Sequence, residues 1–145
     1  MTTAPVTDAR PHSAAIKAAI TGYLGGEHKA YDYDEVPGSP QNANEALRHE
    51  PLPDLFALVA VERRFTPYRR STAQAGRSSW RISVRSVGRS IKEAQWVQDR
   101  VTDALDESRL SVSGAESTPL QHESSDAPTW SDGRYAATSI WIYTL

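Results

Sequence analysis

The sequence contains no cysteine, one methionine and two phenylalanines among 145 residues. The lack of cysteine excludes disulfides, thiolate nucleophiles and cysteine-ligated zinc. A basic amino-terminal region followed by an apolar core is missing, so we expect no signal peptide. Apolar runs fall far short of the roughly 20 residues that span a bilayer. The sequence therefore predicts a soluble protein that is made in the cytoplasm and does not contact a membrane.

Catalytic and cofactor-binding motifs are also missing from the sequence. It has no HExxH pattern, no G-x-S-x-G elbow and no phosphate-binding loop. The four histidines, His12, His28, His49 and His122, are too far apart for a helical metal pair. We therefore expect neither an enzyme nor a bound cofactor.

Charge is distributed unevenly along the chain. Between Glu62 and Arg89 there are eight arginines against one glutamate, a net charge of +7, whereas the whole chain carries -2. Asp32, Asp34 and Glu35 form an acidic segment with two tyrosines. A basic centre with acidic flanks suits contacts between copies or with a polyanion, although a solvated arginine-rich strand pair gives the same pattern. The carboxylates are expected to lie in solvent or to face arginines of a neighbour.

Hydrophobic spacing predicts two helices. Ile16, Ile20 and Leu24 recur at helical spacing after a candidate N-cap, Ser13, so we expect residues 1–12 to form a loose arm. Ser90 and Glu93 match a capping box, and an apolar stripe follows over Ala94–Leu105. Residues 25–54 predict a long connection with a helical turn near 42–49.

Alternation predicts the strands. We expect strands at residues 55–63 and 80–85, weaker strands at 110–113 and 119–123, turns at 124–134 and a last strand at 135–144. Trp80 and Trp141 are expected in the core, and Trp130 at an interface. The order of elements predicts a single α+β domain over residues 1–145, with a mostly antiparallel sheet of about four strands and two helices packed on one face.

This order of elements resembles the tail terminator proteins of siphoviruses, the long-tailed bacteriophages. The likeness rests on four segments: 51–63, 80–87, Ala94–Leu105 and 134–145. It implies a virion protein that forms a ring, commonly of six copies, on the head-proximal end of the tail tube. Such a ring stops tube growth, docks the head-side connector and passes genomic DNA through its lumen without sequence-specific binding.

Two alternatives stay open from the sequence. One is another head–tail connector, such as a neck or tail-completion protein. The other is a nucleic-acid-binding module that uses the basic segment 63–89. The candidate contact residues for a subunit or tube interface are Arg63, Arg64, Tyr68, Arg69, Arg70, Arg77, Asp32, Asp34, Glu35 and Trp130.

Overall fold

The computed structural model describes residues 8–25, 27–64 and 78–145. The elements follow in the order α1 (Ala9–Tyr23), β1 (Ala30–Asp32), a 3-10 helix (Glu45–His49), β2 (Phe56–Arg64), β3 (Ser79–Gly88), α2 (Ile91–Leu105), β4 (Ser111–Val112), β5 (Ala115–Glu116), β6 (Gln121–Ser125), β7 (Thr129–Ser131) and β8 (Arg134–Thr144). The expected α+β class is confirmed. The two long helices and the strands near residues 55–63, 80–85 and 135–144 lie where the sequence predicts them.

The main sheet is larger than expected and is mixed. It has six strands in the order β1-β2-β3-β8-β6, with β7 also paired to β8. β1 runs parallel to β2, and the other pairs in this sheet are antiparallel. β4 and β5 form a separate hairpin. The sheet is mostly antiparallel, as expected, but the expected count of about four strands was too low because β1 and β7 have three residues each, too few for a periodic pattern.

α1 begins earlier than Ser13. Asp8 is its N-cap, and the Asp8 carboxylate accepts a hydrogen bond from the Arg10 backbone N–H at 2.9 Å. Residues 8–12 are therefore helix or cap rather than arm, and residues 1–7 lie outside the described ranges. His12 lies four residues before Ile16 and is fully buried, so it extends the predicted stripe by one turn toward the amino terminus.

α2 has the predicted cap. The Ser90 hydroxyl accepts from the Glu93 N–H at 3.2 Å, while the Glu93 carboxylate accepts from the Arg89 N–H at 3.3 Å rather than from Ser90. The apolar stripe predicted over this helix is buried: Ala94, Val97, Val101, Ala104 and Leu105. Ile91 and Trp96 remain exposed.

Both helices pack on one face of the sheet, as expected. Trp80, Ile82 and Val84 of β3 and Trp141 of β8 are almost completely buried against them. Each large apolar side chain removed from water in this way contributes on the order of 2 kcal/mol. The core of the domain therefore lies between the helices and β2, β3 and β8.

Among the described residues, the other face of the sheet is covered at one end only. Val36, Phe56, Val87 and Ala136 form a small buried cluster under the connection between β1 and β2. That connection is ordered by the predicted helical turn, whose N-cap is Asn44, and by the buried Asn42 amide, which donates to the Val36 carbonyl at 2.8 Å. The rest of this face, which we call the open face, carries half-buried and exposed side chains.

Candidate subunit interface

The arginines at the end of β2 point to opposite sides of the sheet. Arg63 pairs in register with buried Trp80, and Arg64 pairs with Ser79. Since paired residues share a face, Arg63 lies on the helix-covered face and Arg64 on the open face. Four further predicted contact residues, Tyr68, Arg69, Arg70 and Arg77, lie outside the described residues, so their assignment stays a prediction.

Two arginines of the basic segment bind carboxylates of the same chain. Arg81 lies 3.4 Å from Glu62 and 3.3 Å from Glu123, so it links β2, β3 and β6 across the open face. Arg89 lies 3.4 Å from Asp54 and 3.8 Å from Glu93. The segment 63–89 is therefore not a uniform basic surface, because tertiary contacts neutralise part of its charge.

The acidic segment is bound by a lysine of the same chain. Lys17 Nζ lies 2.9 Å from an Asp32 carboxylate oxygen and 2.8 Å from a Glu35 carboxylate oxygen. The Ser13 hydroxyl donates to the other Asp32 oxygen at 2.6 Å. Asp34 is exposed, and its backbone carbonyl accepts from the Ala43 N–H. An interface role thus stays a prediction for all three, with Asp34 the most available.

Competing effects set the pKa values within this cluster. Burial would raise the pKa of Asp32, but the hydrogen bonds from Ser13 and Lys17 and the lysine charge hold it below its ordinary value. Burial would lower the pKa of Lys17, but both carboxylates outweigh it and raise that pKa. Both groups are therefore charged at neutral pH, and the cluster fixes the first half of α1 to the end of β1.

Trp130 is the most exposed large apolar side chain in the described part of the chain, with 62% of its surface accessible. It lies on β7, and its ring contacts Tyr135 edge-on at 5.1 Å between centroids. Trp80 and Trp141 are buried, as predicted. Exposure of a large ring on a short edge strand is typical of a contact surface, so the structure leaves Trp130 free for that role.

A free strand edge lies next to α1. β1 pairs only with Ala57–Val59, and a tight turn from Asp32 to Glu35 then takes the chain away. The second half of β2, Ala60–Arg64, is paired with β3 on one side but consequently has no strand on its other side within the described ranges. A groove of about 420 Å³ occupies that position, lined by Ala9, Arg10, Ser13, Lys17, Asp32, Val59, Ala60 and Val61.

A second groove of about 500 Å³ lies on the open face. Its floor includes Phe56, Leu58 and Val87, and its polar rim includes Arg85 and Arg134. The connection between β1 and β2 forms one wall, and the turn between β7 and β8 forms the other. This groove combines an apolar floor with the charged side chains of Arg85, Asp132 and Arg134.

His12 and Tyr143 form a buried, hydrogen-bonded pair inside the core. His12 is fully buried, its Nδ1 is hydrogen-bonded to the Tyr143 hydroxyl, and its ring stacks on Trp80 at 3.9 Å. Burial raises the pKa of Tyr143 far above its ordinary value.

In the ranges 8–25, 27–64 and 78–145, no group of three or more His, Asp or Glu could hold a metal. No helix in these ranges is long and apolar enough to cross a membrane.

Three features of this surface were not predicted from the sequence: the free edge of β2, the lysine that binds the acidic segment, and the charged rim of the open-face groove. Helical spacing gave one usable signal, because Ser13 and Lys17 lie four residues apart on one side of α1. Nothing in the sequence places Lys17 beside Asp32, since that contact depends on how α1 packs against β1.

Comparison with known proteins gives a match of fold. No family model matches the chain, and no curated protein matches it. A chain from the solved virion of a native gene transfer agent particle is similar, with a TM-score of 0.62 and 13% identity over 91% of this chain and 92% of that one. A second solved chain is similar with a TM-score of 0.54 and 14% identity over 96% of both chains. At these identities the likeness shows a shared fold.

Proposed function

We propose that this protein is a structural component of a phage-like virion and acts as a tail terminator. In this role it forms a ring, of about six copies, at the head-proximal end of the tail tube. The ring stops tube polymerisation and provides the docking surface for the head-side connector. Its partners are further copies of itself, the tail tube protein and the connector protein, and DNA passes through the lumen.

The observation that carries the proposal is the fold shared with a chain of the gene transfer agent virion over nine-tenths of both chains. The order of elements that resembles siphovirus tail terminators supports the same role independently. Further support comes from surfaces suited to repeated contacts: the free edge of β2, the exposed Trp130 and the open-face groove. A head-to-tail ring requires two different surfaces on each copy, and these features occupy different parts of the molecule.

A neck or tail-completion protein would use the same kind of surfaces, and the shared fold fits both roles. A nucleic-acid-binding role is weaker, because Arg81 and Arg89 are already bound to carboxylates of their own chain. Nucleic acids release counterions when free cationic side chains neutralise their phosphates, and paired arginines are less available for this.

The test is assembly with and without tail tubes. Light scattering and negative-stain images of the purified protein are expected to give closed rings, and added tail tubes are expected to carry one ring at one end. Attachment along the tube wall, or at the opposite end, would contradict the terminator role. A monomer that binds DNA with a steep salt dependence, and that does not bind tubes, would establish the nucleic-acid-binding alternative.

A further inference from the structure

We infer that neighbouring copies join edge to edge, with the free edge of β2 in one copy paired to the outer edge of β6 in the next. The occupant of the groove beside Ala60–Arg64 is thus the segment 121–125 of a second copy. This inference rests on the proposed ring for its biological setting and specifies how that ring is held together.

Backbone hydrogen-bonding groups are available on the β2 edge. The Ala57 N–H donates to the Lys29 carbonyl on the β1 side, and N–H directions alternate along a strand. The N–H groups of Val61 and Arg63 therefore point away from β3 and toward the groove. An extended segment in the groove would continue the line that β1 leaves at Asp32, and this is the geometry of strand addition.

The outer edge of β6 is available in the same way. The Asp126 N–H donates to the Thr138 carbonyl of β8, so the N–H of Ser125 points away from β8. All five residues of β6 are exposed. A row of unpaired backbone groups of this kind is a template for another strand unless something covers it.

Strand directions agree with head-to-tail pairing. β2 and β8 run in one direction and β3 and β6 in the other, because the neighbouring pairs are antiparallel. If each copy keeps its orientation along the strand axis, β6 meets the next β2 in the antiparallel sense. The helix-covered faces then stay on one side of the joined sheet, and the copies are related by rotation about an axis along the strands.

Charge and side-chain size agree with this pairing. Arg10 and Lys17 are already paired with Asp8, Asp32 and Glu35, but Arg63 and Arg64, at the end of β2, form no ion pair within the described residues. Residues 121–126 carry Glu123 and Asp126 and no lysine or arginine. Arg64 and Glu123 both lie on the open face, where Glu123 contacts Arg81. In the joined sheet, Ser125 places a small side chain on the α1 side, and Ser124 lies on the open face.

Cross-linking tests the pairing directly, because the natural chain has no cysteine. Antiparallel pairing brings the Arg64 end of one β2 close to the Gln121 end of the next β6, and Glu62 close to Ser124, because the bulge in β6 leaves Gln121 and Ser124 two sheet positions apart. Chains with Arg64→Cys are mixed with chains with Gln121→Cys, and Glu62→Cys with Ser124→Cys, and each mixture is oxidised gently. Glu45→Cys, an exposed position away from both edges, mixed with Gln121→Cys measures random collision.

Covalent dimers at least about tenfold above the Glu45→Cys mixture, in both matched mixtures and in neither partner alone, are the expected result. Dimers no more abundant than in the control mixture would overturn the inference. Dimers of Arg64→Cys alone would also overturn it, because they indicate two β2 edges pairing with each other.

Proline substitutions provide a second measurement. Arg63→Pro and Ser125→Pro each remove an outward N–H without removing a hydrogen bond inside the sheet. Both are expected to abolish self-association while the unfolding midpoint stays close to that of Arg63→Ala and Ser125→Ala. Rings that persist in both proline variants would refute edge pairing but leave the terminator role intact. If the edge cross-links form in open filaments that do not bind tube ends, the terminator role is refuted and the edge pairing stands.

Discussion

His12 and Trp80 stack face to face, with ring centroids 3.9 Å apart and planes inclined by 26°. This contact joins the first turn of α1 to the middle of the sheet, and the hydrogen bond between His12 and Tyr143 extends it to β8. The amino-terminal helix is therefore held by a polar side chain as well as by its aliphatic stripe.

Replacing His12 with alanine is expected to lower the free energy of unfolding by about 2–4 kcal/mol. The change leaves a cavity against Trp80 and removes the hydrogen-bond partner of a buried hydroxyl. Tyr143→Phe, which keeps the ring, is expected to cost about 1 kcal/mol. Arg10→Ala, an exposed change two residues away, serves as the control in the same urea titrations, and an equal loss there would contradict the assignment.

The Lys17 cluster is expected to give a pH-dependent contribution. Because the pKa of Asp32 is lowered on folding, its stabilisation is present above about pH 4 and is lost as pH falls through the folded value. Lys17→Met should therefore destabilise by about 1 kcal/mol at pH 7, since both carboxylates keep part of their contact with solvent. The difference from the natural protein should shrink as pH falls through the folded pKa of Asp32. Lys92→Met, at an exposed position, should show no such convergence.

Two glycines should respond oppositely to alanine. A Cβ on Gly88 would lie 2.6 Å from the Ala94 nitrogen and 2.7 Å from the Glu93 Cβ, so the start of α2 would have to move. Gly88→Ala is expected to destabilise by about 1–3 kcal/mol. A Cβ on Gly22, near the end of α1, would have nothing within 4 Å, and Gly22→Ala should stabilise by up to about 1 kcal/mol. Thermal unfolding of both variants checks the contrast.

Trp130→Ala is expected to weaken assembly while changing the free energy of unfolding by less than about 1 kcal/mol. The Trp130 side chain is largely exposed and contacts mainly Tyr135, so its removal leaves the core intact. Trp96→Ala removes another exposed ring, on α2, and is the matched control. Equal self-association of the two variants, measured by sedimentation velocity, would exclude Trp130 from the interface.

Charge reversal at Arg69 and Arg70 is expected to weaken assembly as well. These arginines belong to the basic segment, and a complementary acidic surface on a partner would be repelled by glutamates. The double variant Arg69→Glu, Arg70→Glu should form fewer rings than Arg109→Glu, a reversal outside the segment. If the double variant forms as many rings as the natural protein, Arg69 and Arg70 are not part of the interface.

The parts of the fold that could be predicted are those with strong local signals. Ser90 and Glu93 mark the start of α2 because a capping box needs only neighbouring residues. Trp80 and Trp141 were placed in the core correctly because strict alternation fixes their face. β1 could not be predicted, since three residues form a strand there only because β2 offers an edge.

The candidate site was less predictable for the same reason. Its charges could be counted, but which carboxylate each one meets depends on packing. Arg81 reaches Glu123, 42 positions away in the chain, and Lys17 reaches Asp32 across the gap between a helix and a strand. His12 was assigned to a loose arm because a polar residue carries no hydrophobic signal, although a stacked and hydrogen-bonded imidazole packs like an apolar one.

β8 has a consequence for how the chain reaches its native state. This strand comes last in the sequence, yet it lies in the interior of the sheet, with β3 on one side and β6 and β7 on the other. Until residues 134–144 have left the ribosome, β3 has one strand partner and Trp80 lacks its neighbour Tyr143. Sheet closure thus waits for this strand and joins residues far apart in the sequence, which predicts slow folding and a nascent chain that exposes unpaired apolar strands to chaperones.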